Sequence, residues 1–182
     1  PDGVARIAGE EIGLPAECLA AVYLHEAVRI GKAEIPQGMF GKDIMTMVDG
    51  LNKISTIKPK DTRLEAENYK KLIISYSKDP RVMVLKLADR LEVMRSIDIF
   101  PKASRERKAL ETLMLYIPLA HQLGLYNMQS EMEDVYFRYA EPEQHRAVSK
   151  RLKGGEADRQ KHTREFIEVS CPHLTLPTKR ID

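Results

Sequence analysis

The run RVMVLKLADRLEVMRS (81–96) constrains the fold more than any other stretch. Its first seven residues are the best strand candidate in the chain. Yet Val84, Leu87, Ala88, Leu91 and Met94 carry on at steps of three and four, the repeat of one helix face rather than the alternation of a half-buried strand. With this segment helical, no other alternating run is long enough for a buried strand. The expected fold class is all-α.

Helical spacing continues on both sides. Val4, Ile7, Ala8 and Ile12 share a face before Gly13 stops the first helix. Pro15 opens a second, with Leu19, Val22, Tyr23, Glu26 and Ala27 on one stripe and an end at Arg29 to Gly31. A third is expected from about Gly38 to Gly50, burying Phe40, Ile44, Met47 and Val48, then Leu51, with NKISTIKPK (52–60) as a basic loop. Asp61 or Thr62 caps a fourth, in which Leu64, Asn68, Leu72 and Tyr76 step by four. Asp79 and Pro80 form the N-cap and first turn of the 81–96 helix. The next, from near Ser104, buries Leu110, Leu113, Met114 and Ile117 until Pro118 kinks or breaks it, and Gly124 follows as a stop. Helices at about 127–139, 142–152 and 156–169 complete the series. The methionines recur at helical spacing and read as core filling.

A chain of 182 residues is long enough for one well-packed domain, or one domain with a small appendage. Charged residues make up 31% of it, yet both signs are interspersed and the net charge is only +2, which does not mark a nucleic-acid binder. Cys18 and Cys171 form no spacing motif, so a reduced, cytoplasmic protein is the expectation. No apolar run approaches the roughly 20 residues of a membrane span, and no signal peptide is visible. The missing initial methionine and the closing CPHLTLPTKRID suggest a piece of a longer protein.

His25 and Glu26 stand side by side on one helix and Asp89 on another. An imidazole and carboxylates from two otherwise apolar helices suit a divalent metal held between them. Plainer readings exist for each: His25 as a core histidine, Asp89 salt-bridged to Lys86 or Arg90, and Arg29 paired with Glu26 in place of an ion. His121 reads as a packing or hydrogen-bonding residue, and His145, His162 and His173 as surface residues. Lys53, Lys58 and Lys60 read as a solvated loop that would at most steer phosphates.

Four blocks, VDGLNKI (48–54), EAENYKK (65–71), DPRVMVLKLADRL (79–91) and IPLAHQLGLY (117–126), resemble in order the N-terminal HD-type hydrolase domain of the RelA/SpoT family, the synthetases and hydrolases of (p)ppGpp. The likeness runs to about Phe166. It implies an HD-domain phosphohydrolase-like helical bundle over residues 1–170, with 171–182 a linker toward a synthetase domain. It also implies a Mn²⁺ ion held by two histidines and two aspartates, with guanosine tetra- or pentaphosphate as substrate. The synthetase domain of the same parent chain is an implied partner, and the ribosome a candidate one through further domains. No membrane partner is implied.

Carried over position by position, the family's first ligand histidine would stand just before Pro1. Its His-Asp pair falls on His25 and Glu26, and its last ligand on Asp89. A Glu-Asp pair that serves the attacking water falls on Arg29 and Ile30. The family's KLADRLHNMRT is KLADRLEVMRS here, with Glu92 and Val93 replacing a histidine and an asparagine while Ser96 keeps a hydroxyl. The loop GKAEIPQG (31–38) is shorter than usual. The resemblance therefore leads first to a degenerate hydrolase site, with no catalytic group intact and a regulatory role toward the synthetase. Two other readings stay open: an active Mn²⁺-dependent 3′-pyrophosphohydrolase with an altered ligand set, and a non-catalytic guanosine-phosphate sensor using Lys86, Arg90 and Ser96.

Overall fold

Asp79 and Pro80 begin the central helix as expected. In the computed structural model, which describes residues 1–56 and 79–154, the Asp79 carboxylate accepts a hydrogen bond of 2.9 Å from the Arg81 backbone N–H. This satisfies one of the free donors at a helix start, and Pro80 gives up no bond there. The helices in chain order are α1 (Asp2–Arg6), α2 (Ala16–Gly31), α3 (Lys42–Thr56), α4 (Pro80–Arg95), α5 (Lys102–Glu111), α6 (Ile117–Gln122), α7 (Tyr126–Ala140) and α8 (Pro142–Gly154). Two π-helical turns, Ile7–Glu11 and Thr112–Tyr116, prolong α1 and join α5 to α6. No strand occurs among the described residues.

Two compact units divide the chain, Pro1–Tyr136 and Phe137–Asp182. In the first, α1, α2, α3 and both π-turns all pack on α4, while α2 and α3 form the most extensive helix pair. Val82, Met83, Leu85, Leu87, Ala88, Leu91 and Met94 of α4 are buried, so the helix is enclosed on most sides, as expected when neighbours surround an element. The Arg95 guanidinium closes its last turn, bonding Glu11 of the first π-turn at 2.7 Å and Glu131 of α7 at 2.6 Å. In the second unit the Phe137 and His145 rings meet edge-on at 5.5 Å.

Four sequence expectations are corrected. The buried stripe of α2 is Cys18, Ala21, Val22 and His25, with Tyr23 and Ala27 exposed, so the helix is turned from the expected face. Helix α3 starts at Lys42 and runs past Gly50 to Thr56, burying Ile54. Gly50 is a close-packing residue there, because a β-carbon on it would fall 2.9 Å from Val82 Cγ2. Leu110 is 55% exposed; Ala109, Thr112, Leu115 and Tyr116 face the core instead. Nor does Pro118 break the chain of helices. The Ile117 N–H bonds back to the Thr112 carbonyl, five residues away. That wider turn relieves the clash a proline makes with the carbonyl four residues before it.

Gly124 does stop α6. Its φ is +72°, and its N–H and that of Leu125 bond to the carbonyls of His121 and Ala120, the double closure typical of a glycine-terminated helix. The expected helices near 61–76 and 156–169, the linker 171–182, and Lys58, Lys60, His162 and His173 lie outside the described residues.

Candidate functional site: a cavity between α2, α3 and α4

The α2 face that carries His25 and Glu26 meets the α4 face that carries Asp89, and the continuation of α3 adds Asn52 and Ser55 beside them. His25, Glu26, Arg29, Lys86, Asp89 and Glu92 line a cavity of about 180 Å³, with Val22, Leu51 and Leu85 forming its apolar floor. Helix α2 presents His25, Glu26 and Arg29 at steps of one and three. Helix α4 presents Lys86, Asp89 and Glu92 at steps of three, one face in each case.

His25 is 6% exposed, and its Nδ1 lies 2.8 Å from Asn52 Oδ1 on α3. A carbonyl oxygen at that distance makes Nδ1 the N–H donor and leaves the lone pair on Nε2. Ser55, one turn along α3 from Asn52, has its hydroxyl 3.4 Å from Nε2 and within 3.3 Å of the Lys86 ammonium. Lys86 donates onward to Asp89 Oδ2 at 3.0 Å. A polar chain therefore runs Asn52, His25, Ser55, Lys86, Asp89. Burial pushes the His25 imidazole below its usual range; Asn52 and Glu26 oppose this, Lys86 and Arg29 add to it, and the ring is neutral at pH 7.

Glu26 and Asp89 are each matched by a side-chain cation. Arg29 reaches Glu26 through Nε at 3.1 Å and through a terminal nitrogen that meets both oxygens at 2.9 Å. Burial works against the charge of Asp89, but Lys86, with Arg90 and His25 behind it, holds the carboxyl below the usual carboxylate range. Glu92 lies against the first turn of α1, where a β-carbon at Gly3 would coincide with its carboxylate. Three carboxylates, Glu26, Asp89 and Glu92, face two side-chain cations, Arg29 and Lys86, with Pro1 also in the lining.

Ile30 is 67% exposed and does not line the cavity. Arg90, 12% exposed at its side chain, bonds Glu111 at 2.9 Å and the Lys108 carbonyl at 3.2 Å, with its guanidinium 4.1 Å from the centre of the Tyr116 ring. Burial opposes its charge, and Tyr116 and Glu111 more than restore it. Ser96 caps the far end of α4. The structure thus gathers His25, Glu26, Arg29, Lys86 and Asp89 in one place and leaves Arg90 and Ser96 elsewhere. His121, exposed, lies 3.1 Å from Gln129 and meets the Tyr126 ring edge-on, the hydrogen-bonding one of its two expected roles.

Asn52 and Ser55 escaped the sequence reading because α3 was ended at Gly50. The signal was present: Val48, Leu51 and Ile54 continue the helical period through the glycine, which puts Asn52 and Ser55 on one adjoining face.

A divalent ion does not fit this donor set as it stands. The Nε2 lone pair faces Ser55, both Glu26 oxygens are held by Arg29, and Asp89 is held by Lys86. His25 Nε2 and Glu26 Oε1 are 4.0 Å apart. Among the described residues no three His, Cys, Asp or Glu converge closely enough to hold a metal.

A profile of the HD domain matches residues 1–126, well over half of the chain. The chain belongs to the HD-domain family. Similar curated proteins place this HD domain in the RelA/SpoT branch. A guanosine-3′,5′-bis(diphosphate) 3′-pyrophosphohydrolase of Aquifex aeolicus is 35% identical over 86% of the chain and 23% of its own length. The bifunctional (p)ppGpp synthase/hydrolase SpoT of Escherichia coli K12 is 32% identical over 92% of the chain and 24% of its own length. A GTP pyrophosphokinase of Myxococcus xanthus is 33% identical over 94% of the chain and 23% of its own length. The chain thus spans about a quarter of the length of these relatives. HD-domain hydrolases are generally metal-dependent. No helix of the described residues is long and apolar enough to cross a membrane.

Proposed function

We propose that this HD domain is hydrolytically silent and acts as a regulatory domain in a longer RelA/SpoT protein. Residues 1–170 would be the HD segment and 171–182 the lead into the alarmone synthetase. The observation that carries the reading is the two-oxygen grip of Arg29 on Glu26. A guanidinium remains charged at any physiological pH and accepts no proton from water. Ile30, exposed and apolar, offers no base either. General acid–base catalysis is worth about 10²–10⁴-fold, and both positions expected to supply it lack a carboxylate. Arg90 and Ser96, two of the three contacts expected of a guanosine-phosphate sensor, lie away from the cavity, which weakens that reading. The active-hydrolase reading requires Glu26 to be freed and another base to be found. Retention of a packed helical fold without this chemistry fits a domain kept for its influence on a neighbour, where coupling of about 1–3 kcal/mol suffices.

The test is incubation of the chain with ppGpp and Mn²⁺, with nucleotides separated by anion exchange. No pyrophosphate release above the protein-free control is expected. In a chain extended to include the histidine expected before Pro1, Glu26→Asp, Arg29→Glu, Ile30→Asp and Val93→Asn together are expected to recover measurable turnover where each alone does little, since such groups act as a unit. Robust Mn²⁺-dependent release by the unmutated chain would overturn the reading.

A further inference from the structure

Arg29 and Lys86 do more than decorate the rim of the cavity. Lys86 is the more enclosed, 11% exposed at its side chain, and reaches Ser55 and Asp89 at once. A buried ammonium is costly unless carboxylate and hydroxyl partners surround it. Here they do, and Asp89, 44% exposed, faces the open side of the cavity. Arg29 is half-exposed, but its partner Glu26 is only 19% exposed and would otherwise be a poorly solvated anion next to a neutral imidazole. Without the two cations, His25, Glu26, Asp89 and Glu92 would leave three carboxylates around one cavity, an arrangement that invites a divalent ion or protonation.

We infer that Arg29 is a built-in counter-ion that stands in place of a divalent metal and keeps the metal out. The inference deepens the proposal of a silent domain and makes a separate claim: the cluster is charge-compensated by its own side chains, so the fold is indifferent to divalent ions. Lys86 sits inside the polar chain through Ser55 and His25, so removing it disturbs the interior. Arg29 hydrogen-bonds Glu26 and is half-exposed, which makes it the one to exchange without disturbing the interior. Arg29→Gln removes one positive charge from the cavity and frees both Glu26 oxygens. Arg29→Lys keeps the charge while losing the two-oxygen grip.

The experiment is thermal unfolding of the full chain and of both variants in EDTA or in Mn²⁺, together with the loss of the free-ion Mn²⁺ resonance on titration with protein. The wild-type midpoint and that of Arg29→Lys are expected to be the same in EDTA and Mn²⁺, with no loss of the free-ion signal. Arg29→Gln is expected to unfold earlier in EDTA, to gain about 5 °C or more at saturating Mn²⁺, and to take up one ion per chain. A role for Arg29 in packing alone would lower both variants equally and leave both blind to Mn²⁺; that result overturns the inference. Stoichiometric Mn²⁺ on the wild-type chain overturns it as well. If that ion comes without hydrolysis of ppGpp, the silent-domain proposal stands, whereas hydrolysis by the wild-type chain defeats that proposal on its own.

Discussion

Gly50→Ala in the middle of α3 sets helix propensity against close packing, and the geometry decides the sign. Replacing an interior helical glycine with alanine ordinarily stabilises by about 1 kcal/mol. Here the new β-carbon would lie 2.9 Å from Val82 Cγ2 and 3.3 Å from Cγ1, well inside the roughly 3.5–4.0 Å at which carbon atoms rest. Val82 is 1% exposed, and a β-branched residue in a helix has essentially one χ1 choice, so it has no room to turn aside. Overpacking of this kind costs about 1–3 kcal/mol. The net expectation is destabilisation by about 1 kcal/mol and a melting midpoint lower by roughly 3 °C for a chain of this size. A urea or thermal double-mutant cycle with Val82→Ala supplies the check. Val82→Ala alone is expected to cost about 2 kcal/mol. In its background the glycine replacement turns stabilising, giving a favourable coupling of about 2 kcal/mol. A raised midpoint for Gly50→Ala alone, or additivity within about 0.5 kcal/mol, would show that α3 and α4 do not meet as described.

Asn52→Leu leaves the His25 Nδ1–H buried without its acceptor and is expected to cost about 1–3 kcal/mol, measured by urea denaturation. Asn52→Asp keeps an acceptor and should cost less. Asp79→Ala removes the N-cap of α4 at a cost of about 1 kcal/mol. Its pH dependence has a definite sign: the Arg81 guanidinium holds the Asp79 carboxyl below its usual range, so this stability is present above the ordinary aspartate range and is lost as pH falls through the lowered folded value. The difference in urea midpoint between wild type and Asp79→Ala should therefore be full at pH 7 and shrink in acid; a gap that widens in acid would refute the assignment.

Much of this domain was legible from residues because local signals and burial agreed. Asp79–Pro80 and Gly124 act through backbone chemistry that a sequence displays directly, and both boundaries fall where expected. His25, Glu26 and Asp89 do meet at one cavity, and the Arg29–Glu26 and Lys86–Asp89 pairings were foreseeable at helical steps of three. What periodicity could not supply was phase. An exposed Tyr23 and a buried Cys18 are both compatible with a stripe drawn from apolar residues, and only the neighbours of α2 choose between them. Gly50 misled because a glycine tolerated for close approach and a glycine that ends a helix look the same in sequence. Arg90 is a third kind of miss: it sits one position from Asp89, and that single step of about 100° carries it away from the cavity to Glu111 and Tyr116.

The π-turn at Thr112–Tyr116 leaves the α5–α6 segment with one residue more than an unbroken α-helix would use over that span. Deleting a single residue there would regularise the hydrogen bonding over the same span, so the helix beyond would keep its phase. Ile117, Leu119 and Ala120 would still face the core, but the Pro118 ring would be driven into the carbonyl four residues before it. A tidier backbone would be incompatible with the proline it has to carry. The irregular turn thus works as a seat for that ring, and a chain with an ordinary residue in place of Pro118 should tolerate the one-residue deletion far better than this one.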